Sequence, residues 1–368
     1  MNVAESIDQG MAQALSRPFA GLKVVDFSTL LPGPMASLIL AEGGAEIVKI
    51  ERPGKGDDMR AYEPRLNDHS VIFSLLNRGK ASRAIDLKSP EGFAEVRELV
   101  LDADIVIEQF RPGVMARLGL SYDDLAKDNP RLIYCSISGY GQDGPKVRVA
   151  GHDLNYVAEA GLLSLVTDPD GKPTLPPIPL ADIGGGTYPA IINILIALYE
   201  RSRTGVGRYL DISMSENVYP FIYWALAGSL AGQPPVASGE MITGGSPRYN
   251  IYRTKDGRFA AAAPLEDHFW QTFCDALNLP TSASIEDVAI EIGKYDAADL
   301  MTLFAGRDAC CSIVATIDEA IGDSHFKARG VFRRQVDVNG RSVSALPLPL
   351  VAPYRDPENA RSAPPLGE

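Results

Sequence analysis

Cysteine, histidine and tryptophan are scarce in this chain: four, four and two among 368 residues. Cys135, Cys274, Cys310 and Cys311 form no C-x-x-C pair, and the last two are adjacent. Neither a disulfide framework nor a zinc site is expected, and a reducing cytoplasm is the expected setting. Positive charge is also short. A formal net charge of −12 leaves no basic footprint across the chain, which argues against nucleic acid as a partner. The longest apolar runs, Ala190 to Tyr199 and Tyr219 to Gly232, are too short or too interrupted to span a bilayer. They read as buried helices, and no membrane is expected as a partner. The opening MNVAESIDQG has no apolar leader and the closing PPLGE is no peroxisomal signal. P-loop, H-E-x-x-H, G-x-S-x-G and aspartate-rich metal loops are all absent, so no metal and no phosphoryl-transfer chemistry is expected.

What is present is an alternation of periods. Leu22 to Phe27 reads as a strand, MASLILAEGG as a helix closed by glycines, and Ala45 to Ile50 as the next strand. SRAIDLK, PEGFAEVRELVLDA, DIVIEQF, SYDDLAKDN and RLIYCSIS continue as strand, helix, strand, helix and strand. That order predicts an α/β fold with a mostly parallel sheet. Beyond residue 150 the texture changes: Thr167 to Pro179 is loop-like, Thr187 to Tyr199 an apolar helix, and Arg208 to Ser213 a strand. From about residue 245, Asp256-Gly257 between two strand-like runs predicts a hairpin, followed by helices over Glu266 to Leu277 and Ala297 to Ala305. Asn339-Gly340 predicts a second hairpin, and the proline-rich end, Pro347 to Pro365 with Pro357 among them, is expected to lie extended over the molecule.

Several residues admit both a structural and a chemical role. Gly139-Tyr-Gly141-Gln-Asp-Gly144 is a literal G-x-G-x-x-G, but Pro145 to Gly151 offers no helix for a dinucleotide phosphate, so nicotinamide and flavin binding are not expected. Asp182 in Ala181-Asp182-Ile183-Gly184-Gly185-Gly186 is either a helix cap or a carboxylate whose approach is cleared of side chains. His152 in Gly151-His152-Asp153 stands at a helix start, where it is either structural or half of an acid–base pair. Glu266 could simply complement a helix dipole, and Met241 to Tyr249 could be a hinge loop.

Taken together, LLPGPMASLILAEGGAEIVKIERP, NRGKASRAIDLK, EQFRPGVMARLGL, NPRLIYCSISGYGQDGP, AGHDLNYVAEAG, PLADIGGG and GRDACCSIV resemble the family III CoA-transferases (CaiB/BaiF), and within them the alpha-methylacyl-CoA racemase branch. The resemblance implies a Rossmann-like large domain, a small α+β domain, and two chains interlocked as a homodimer. On that basis 1–213, completed by about 340–368, is expected to be the large CoA-binding domain, 214–245 a linker, 246–325 the small domain and 326–339 the return linker. It further implies an acyl-CoA substrate, with CoA entering as part of that substrate and no separate cofactor. His152 and Asp182 would face the two sides of the substrate α-carbon, Glu266 would support the histidine, and backbone N–H groups near Asp153 would hold the thioester oxygen. Arg52, Arg111, Arg117 and Gly151 would hold CoA, and Gly184, Gly185, Gly186, Met241 and Tyr249 would line the substrate pocket. One departure stands out: Gly244-Gly-Ser-Pro247 is followed by Arg248, where the racemases place an aromatic residue.

The implied chemistry is racemisation of a 2-methylacyl-CoA. A thioester α-proton is weakly acidic, so inversion needs a base on one face and a proton donor on the other. The alternative is a transferase in which Asp182 is the nucleophile, forming an acyl anhydride and then an aspartyl-CoA thioester. A third reading is a CoA-binding protein without catalysis.

Overall fold

Short apolar strands recur through the first 213 residues because each must be covered on both faces, and in the computed structural model, which describes residues 17–354 and 361–367, they join in one parallel sheet. The strands are β1 (Lys23–Asp26), β2 (Glu46–Glu51), β3 (Ala81–Ala84), β4 (Ile105–Glu108), β5 (Ile133–Ser138) and β6 (Arg208–Ser213). Their order is β3-β2-β1-β4-β5-β6, with every neighbouring pair parallel. The chain leaves β1 toward one edge and returns to build the other from β4, which opens a crevice between these two strands at their carboxyl ends. α1 (Pro32–Glu42) and α2 (Pro90–Leu101) both begin with proline in the first turn, where no N–H partner is lost. α2 buries Gly92, Val96 and Val100 in one stripe, packed with Val25, Val106 and Tyr134 of the sheet, whereas α1 is buried on every side.

The described residues divide into two compact units. The larger comprises those up to Ala160, Ile178–Pro220 and those from His325 on; the smaller comprises Gly161–Pro177 and Phe221–Ser324. This differs from the expected boundaries. Residues 161–177 join the smaller unit because the Thr167 N–H donates to Ser238 Oγ (2.9 Å), the Ser238 N–H donates to the Leu165 carbonyl (2.9 Å), and Leu165 packs with Ile222 and Ala225. The expected linker 214–245 is shared between the units, and its helix Tyr223–Leu230 belongs to the smaller. The expected return linker instead ends in a strand of the larger unit.

After α3 (Asp153–Glu159), the apolar helix α4 (Tyr188–Thr204) continues directly from a wide, i→i+5 turn over Ala181–Thr187. The joined stretch Ala181–Thr204 is long and apolar enough to cross a membrane by length and composition alone. It lies against β5 and β6, however, and its buried Arg201 pairs with Asp104 at 3.0 Å, which marks a sheet-covering helix. The smaller unit holds the antiparallel sheet β9-β8-β7, from β7 (Asn250–Arg253), β8 (Phe259–Ala262) and β9 (Cys311–Ile313). Its helices α5 (Asp267–Leu277), α6 (Ile285–Ile292) and α7 (Ala297–Phe304) enclose Trp270, Phe273 and Phe304, stacked ring on ring. Back in the larger unit, β10 (Gln335–Val338) and β11 (Arg341–Ser344) form the second predicted hairpin, and β12 (Arg361–Ser362) pairs beside β10. The extended tail is tied down by Gly79 N–H to the Ser362 carbonyl (2.9 Å) and Gly367 N–H to Ser82 Oγ (3.1 Å); Pro357 lies outside the described residues.

Two fully buried ion pairs fix the loop from β1 into α1: Lys49–Asp57 at 3.0 Å and Lys80–Asp26 at 3.5 Å. Lys49 Nζ also donates to the Ser28 carbonyl (2.6 Å), Lys80 Nζ to the Pro34 carbonyl (2.8 Å), and Asp57 accepts the Leu30 N–H. Burial alone would raise the Asp26 carboxyl, but Lys49, Lys80 and the Ser28 and Ser37 hydroxyls hold it below the usual range. Removing one member of such a pair leaves the other charge buried and uncompensated. Lys49→Met is therefore expected to lower stability by about 3–5 kcal/mol, read as a fall in the urea midpoint; a midpoint within error of wild type would contradict this role.

Candidate active site

A cleft of about 430 Å³ occupies the crevice predicted by the strand order, entirely within the larger unit. Thr29, Leu30 and Pro32 line it after β1, Gln109 to Pro112 after β4, and Ile137 to Gly141 at the end of β5. Val147 to His152, Asn155, Tyr156, Asp182 and Met214 complete the wall. A second cleft of about 460 Å³ lies beside tail residues 362–366, but His69 and Asp68 there are exposed to solvent and Arg60 is bound to Glu51. Among the described residues no group of three or more His, Cys, Asp or Glu side chains is gathered as for a metal ion.

The sequence singled out His152 and Asp182 thirty residues apart, and both line the 430 Å³ cleft. His152 is the exposed residue preceding α3, its N–H donating to Asn155 Oδ1 at 3.0 Å. Asp153, the next residue, reaches across: its carboxylate accepts the Asp182 N–H at 2.9 Å and ties α3 to the wide turn. Wide turns of this kind are rare and concentrate at functional sites. The Asp182 carboxyl is pushed up to about 6, first by burial and then by the negative charge of Asp153, with the His152 charge pulling the other way. A carboxyl titrating near 6 and an imidazole in one cleft can take and return a proton close to neutral pH.

Gly185 and Gly186 serve packing more than ligand approach. A Cβ on Gly185 would stand 2.3 Å from the Met214 carbonyl oxygen, and one on Gly186 would stand 3.0 Å from Pro32 Cβ. Neither they nor Gly184 line the cleft, because Met214 and α1 fill that space. Gly139 and Gly151 are needed for a related reason. The Tyr156 ring lies 2.5 Å and 2.8 Å from where their Cβ atoms would be, and its hydroxyl donates to the Gly151 carbonyl at 2.5 Å. The first glycine of the G-x-G-x-x-G is thus required by packing, Gly141 and Gly144 by a left-handed φ of 84°, and no helix opens after Gly144.

Of the expected CoA arginines, Arg111 lines the cleft; Arg52 and Arg117 do not, and Arg52 is bound to Asp58 at 2.8 Å. Arg148, Ser138 and Tyr156 line it without having been expected. Arg148 was within reach of sequence reasoning, since it precedes His152 by four residues on the same loop. Glu266, Met241 and Tyr249 are exposed residues of the smaller unit. Glu266 precedes α5 and its carbonyl accepts the Trp270 N–H at 2.9 Å. Arg248 is engaged inside that unit: Nη1 donates to Asp267 Oδ1 (2.6 Å) and the Leu265 carbonyl (3.0 Å), and the guanidinium lies 5.4 Å from the centre of the Trp270 ring.

Known proteins share this sequence pattern and this fold. The sequence model described as CoA-transferase family III matches residues 19–368. The human alpha-methylacyl-CoA racemase is 36% identical over 346 residues, covering 90% of this chain and 86% of the relative. The acetyl-CoA:oxalate CoA-transferase of Acetobacter aceti is 40% identical over 269 residues, covering 73% and 68%. A crystal structure of a CaiB/BaiF family protein from Brucella suis superposes with a TM-score of 0.82 at 29% identity, covering 96% of this chain and 97% of that one.

The raised Asp182 carboxyl has a consequence for stability. An unfolded aspartate ionises near 3.8, whereas the folded one holds its proton to about 6, so between these values the unfolded state loses protons first and folding stability falls as pH rises. Asp182→Asn removes this penalty. The variant is expected to melt above wild type at pH 8, with the gap closing below pH 4; a gap independent of pH would show that the carboxyl is not the cause.

Proposed function

This chain belongs to the CoA-transferase family III, and we propose that within it the protein is a racemase that inverts the α-carbon of a 2-methylacyl-CoA thioester. The observation that carries the reading is the presence of His152 and Asp182 in one cleft, with the aspartate tuned toward 6. As carboxylate, Asp182 removes the α-proton from one face; as imidazolium, His152 delivers a proton to the other, and the roles exchange with direction. The enolate between the two steps needs hydrogen-bond donors. The Asp153 N–H opens α3, where no carbonyl of its own helix can accept it, and this suits it to the thioester oxygen. Arg111 and the newly found Arg148 supply positive charge for the CoA phosphates, while Glu266 keeps only the part that the resemblance gives it. Proton transfer needs no further group, so CoA enters as part of the substrate.

The oxalate CoA-transferase likeness favours a second reading, in which the same Asp182 carboxylate attacks the thioester. The two differ in what happens without an acceptor acid. In heavy water with a 2-methylacyl-CoA alone, wild type is expected to exchange the α-proton and lose chirality, and His152→Ala or Asp182→Asn to slow this by at least about 100-fold. Normal racemisation by His152→Ala would refute the two-base assignment. No exchange, with hydroxylamine trapping of Asp182 once an acceptor acid is added, would replace it by the transferase.

We also propose that the chain works as a homodimer, interlocked as the resemblance implies. Support comes from α4, whose outer face presents Tyr188, Ile192, Leu195, Ile196 and Tyr199 in one exposed apolar stripe at helical spacing. Light scattering is expected to give a particle of two chains at micromolar concentration, and a monomer would remove the proposal.

A further inference from the structure

Ser138 closes strand β5 at the carboxyl edge of the sheet and lines the catalytic cleft. Only 7% of its surface is exposed, and its Oγ is buried without a hydrogen-bond partner. That is unusual in this unit. Of the other buried serines, Ser28, Ser37, Ser74, Ser82 and Ser136 place their hydroxyl against an oxygen acceptor (Asp26 for the first two, then the Ser70 carbonyl, Glu51 and Glu108), Ser70 Oγ accepts the Phe73 N–H and Ser213 Oγ faces Ser215 Oγ; in the cleft the Tyr140 hydroxyl is likewise buried without a partner. A buried hydroxyl left unmade costs free energy, and native proteins keep such a group where a ligand or water completes it.

The position of Ser138 narrows what that ligand group can be. The Ser138 carbonyl accepts the Met214 N–H at 2.9 Å, and Met214 packs directly against Gly185 and Gly186 of the turn that bears Asp182. Ser138 thus lines the same cleft as Asp182 and is one residue removed from the turn that bears it. Its cleft neighbours in sequence are Ile137 and Gly139, which carry no charge to share an anion with it. We propose that Ser138 is a substrate-binding residue whose Oγ–H donates to an uncharged carbonyl oxygen of the bound acyl-CoA, either the thioester carbonyl or a pantetheine amide. The inference rests on the acyl-CoA reading of this cleft, but on neither the racemase nor the transferase step.

Equilibrium binding tests it with affinity, not activity, as the readout. Calorimetric titration of wild type, Ser138→Ala and the near-isosteric Ser138→Cys, each with free CoA and with a 2-methylacyl-CoA, is expected to show a loss of about five- to tenfold in affinity for both variants. A loss with both ligands identifies the pantetheine amide, and a loss confined to the acyl-CoA identifies the thioester carbonyl. The Ser138→Ala melting temperature is expected to match or exceed that of wild type, because an uncompensated hydroxyl is removed; a clear fall would assign Ser138 a structural role and overturn the proposal. Unchanged affinity for both ligands in both variants overturns it as well, while leaving the acyl-CoA reading intact. Failure of wild type to bind either ligand overturns the acyl-CoA reading and this inference with it.

Discussion

Two buried lysines hold the segment on which the cleft depends. Lys49 and Lys80, sealed from solvent with Asp57 and Asp26, grip the carbonyls of Ser28 and Pro34 from opposite ends of the loop between β1 and α1. Between these anchors Leu30 is forced to a left-handed φ of 62°, a conformation costing a residue other than glycine about 1–3 kcal/mol. Asp57 offsets this by accepting the Leu30 N–H with both carboxylate oxygens. The consequence lies two residues further on, where the Pro32 carbonyl accepts Thr187 Oγ1 at 2.8 Å and Pro32 itself packs against Gly186. The buried charges thus set the position of α1, and α1 sets the wide turn that presents Asp182.

Such an arrangement is costly as a source of stability, since apolar side chains of similar volume could fill the same space without a desolvation penalty. What ion pairs add is direction. Each ammonium has several donors, and here they are spent on particular carbonyls, which specifies one loop path among the many that a greasy contact would tolerate. Burial pushes the Lys80 ammonium down to about 7 against the pull of Asp26, so the network is charged only because its members face one another. Asp182 obeys the opposite logic. It is half-buried beside Asp153, a like charge, with no cation in salt-bridge contact among the described residues, and its proton affinity rises. One rule of burial yields a rigid support where charges are paired and a reactive carboxyl where they are not.

Sequence patterning was sufficient for the parallel sheet because its strands are short apolar runs bounded by turn residues, with helices of recognisable length after β1 and β3; the helix Val71–Asn77 between β2 and β3 went unread. Local motifs drew attention to His152 and Asp182 with a structural role still open, the family resemblance pointed to Arg111, and all three line the cleft. Less regular features escaped patterning. The Ser284–Asp287 capping box before α6 was a legible signal that the expected elements do not include. By contrast, nothing local marks residues 161–177 as part of the smaller unit, since their partners Ser238, Ile222 and Ala225 lie tens of residues away. Ser138 is hidden for the same reason: its want of a partner is a property of packing. The glycines after Asp182 were visible, but their cause was not, because Met214 and Pro32 are remote in sequence.

Arg248 shows how a departure from a family pattern is absorbed. Its backbone N–H bonds Ser246 Oγ at 3.1 Å, and its side chain spans from the Gly244–Pro247 loop to the first turn of α5, lying over the face of Trp270. Where the family pattern has an aromatic residue, the guanidinium makes a cation–π contact with Trp270 and two hydrogen bonds. Those commitments are internal to the smaller unit and satisfy the charge there. The substitution therefore alters how the loop is latched without supplying a free cation to recognise a polar acyl group. Selectivity has to come from groups whose bonding capacity is still open, and among the cleft residues the Ser138 hydroxyl is one such group.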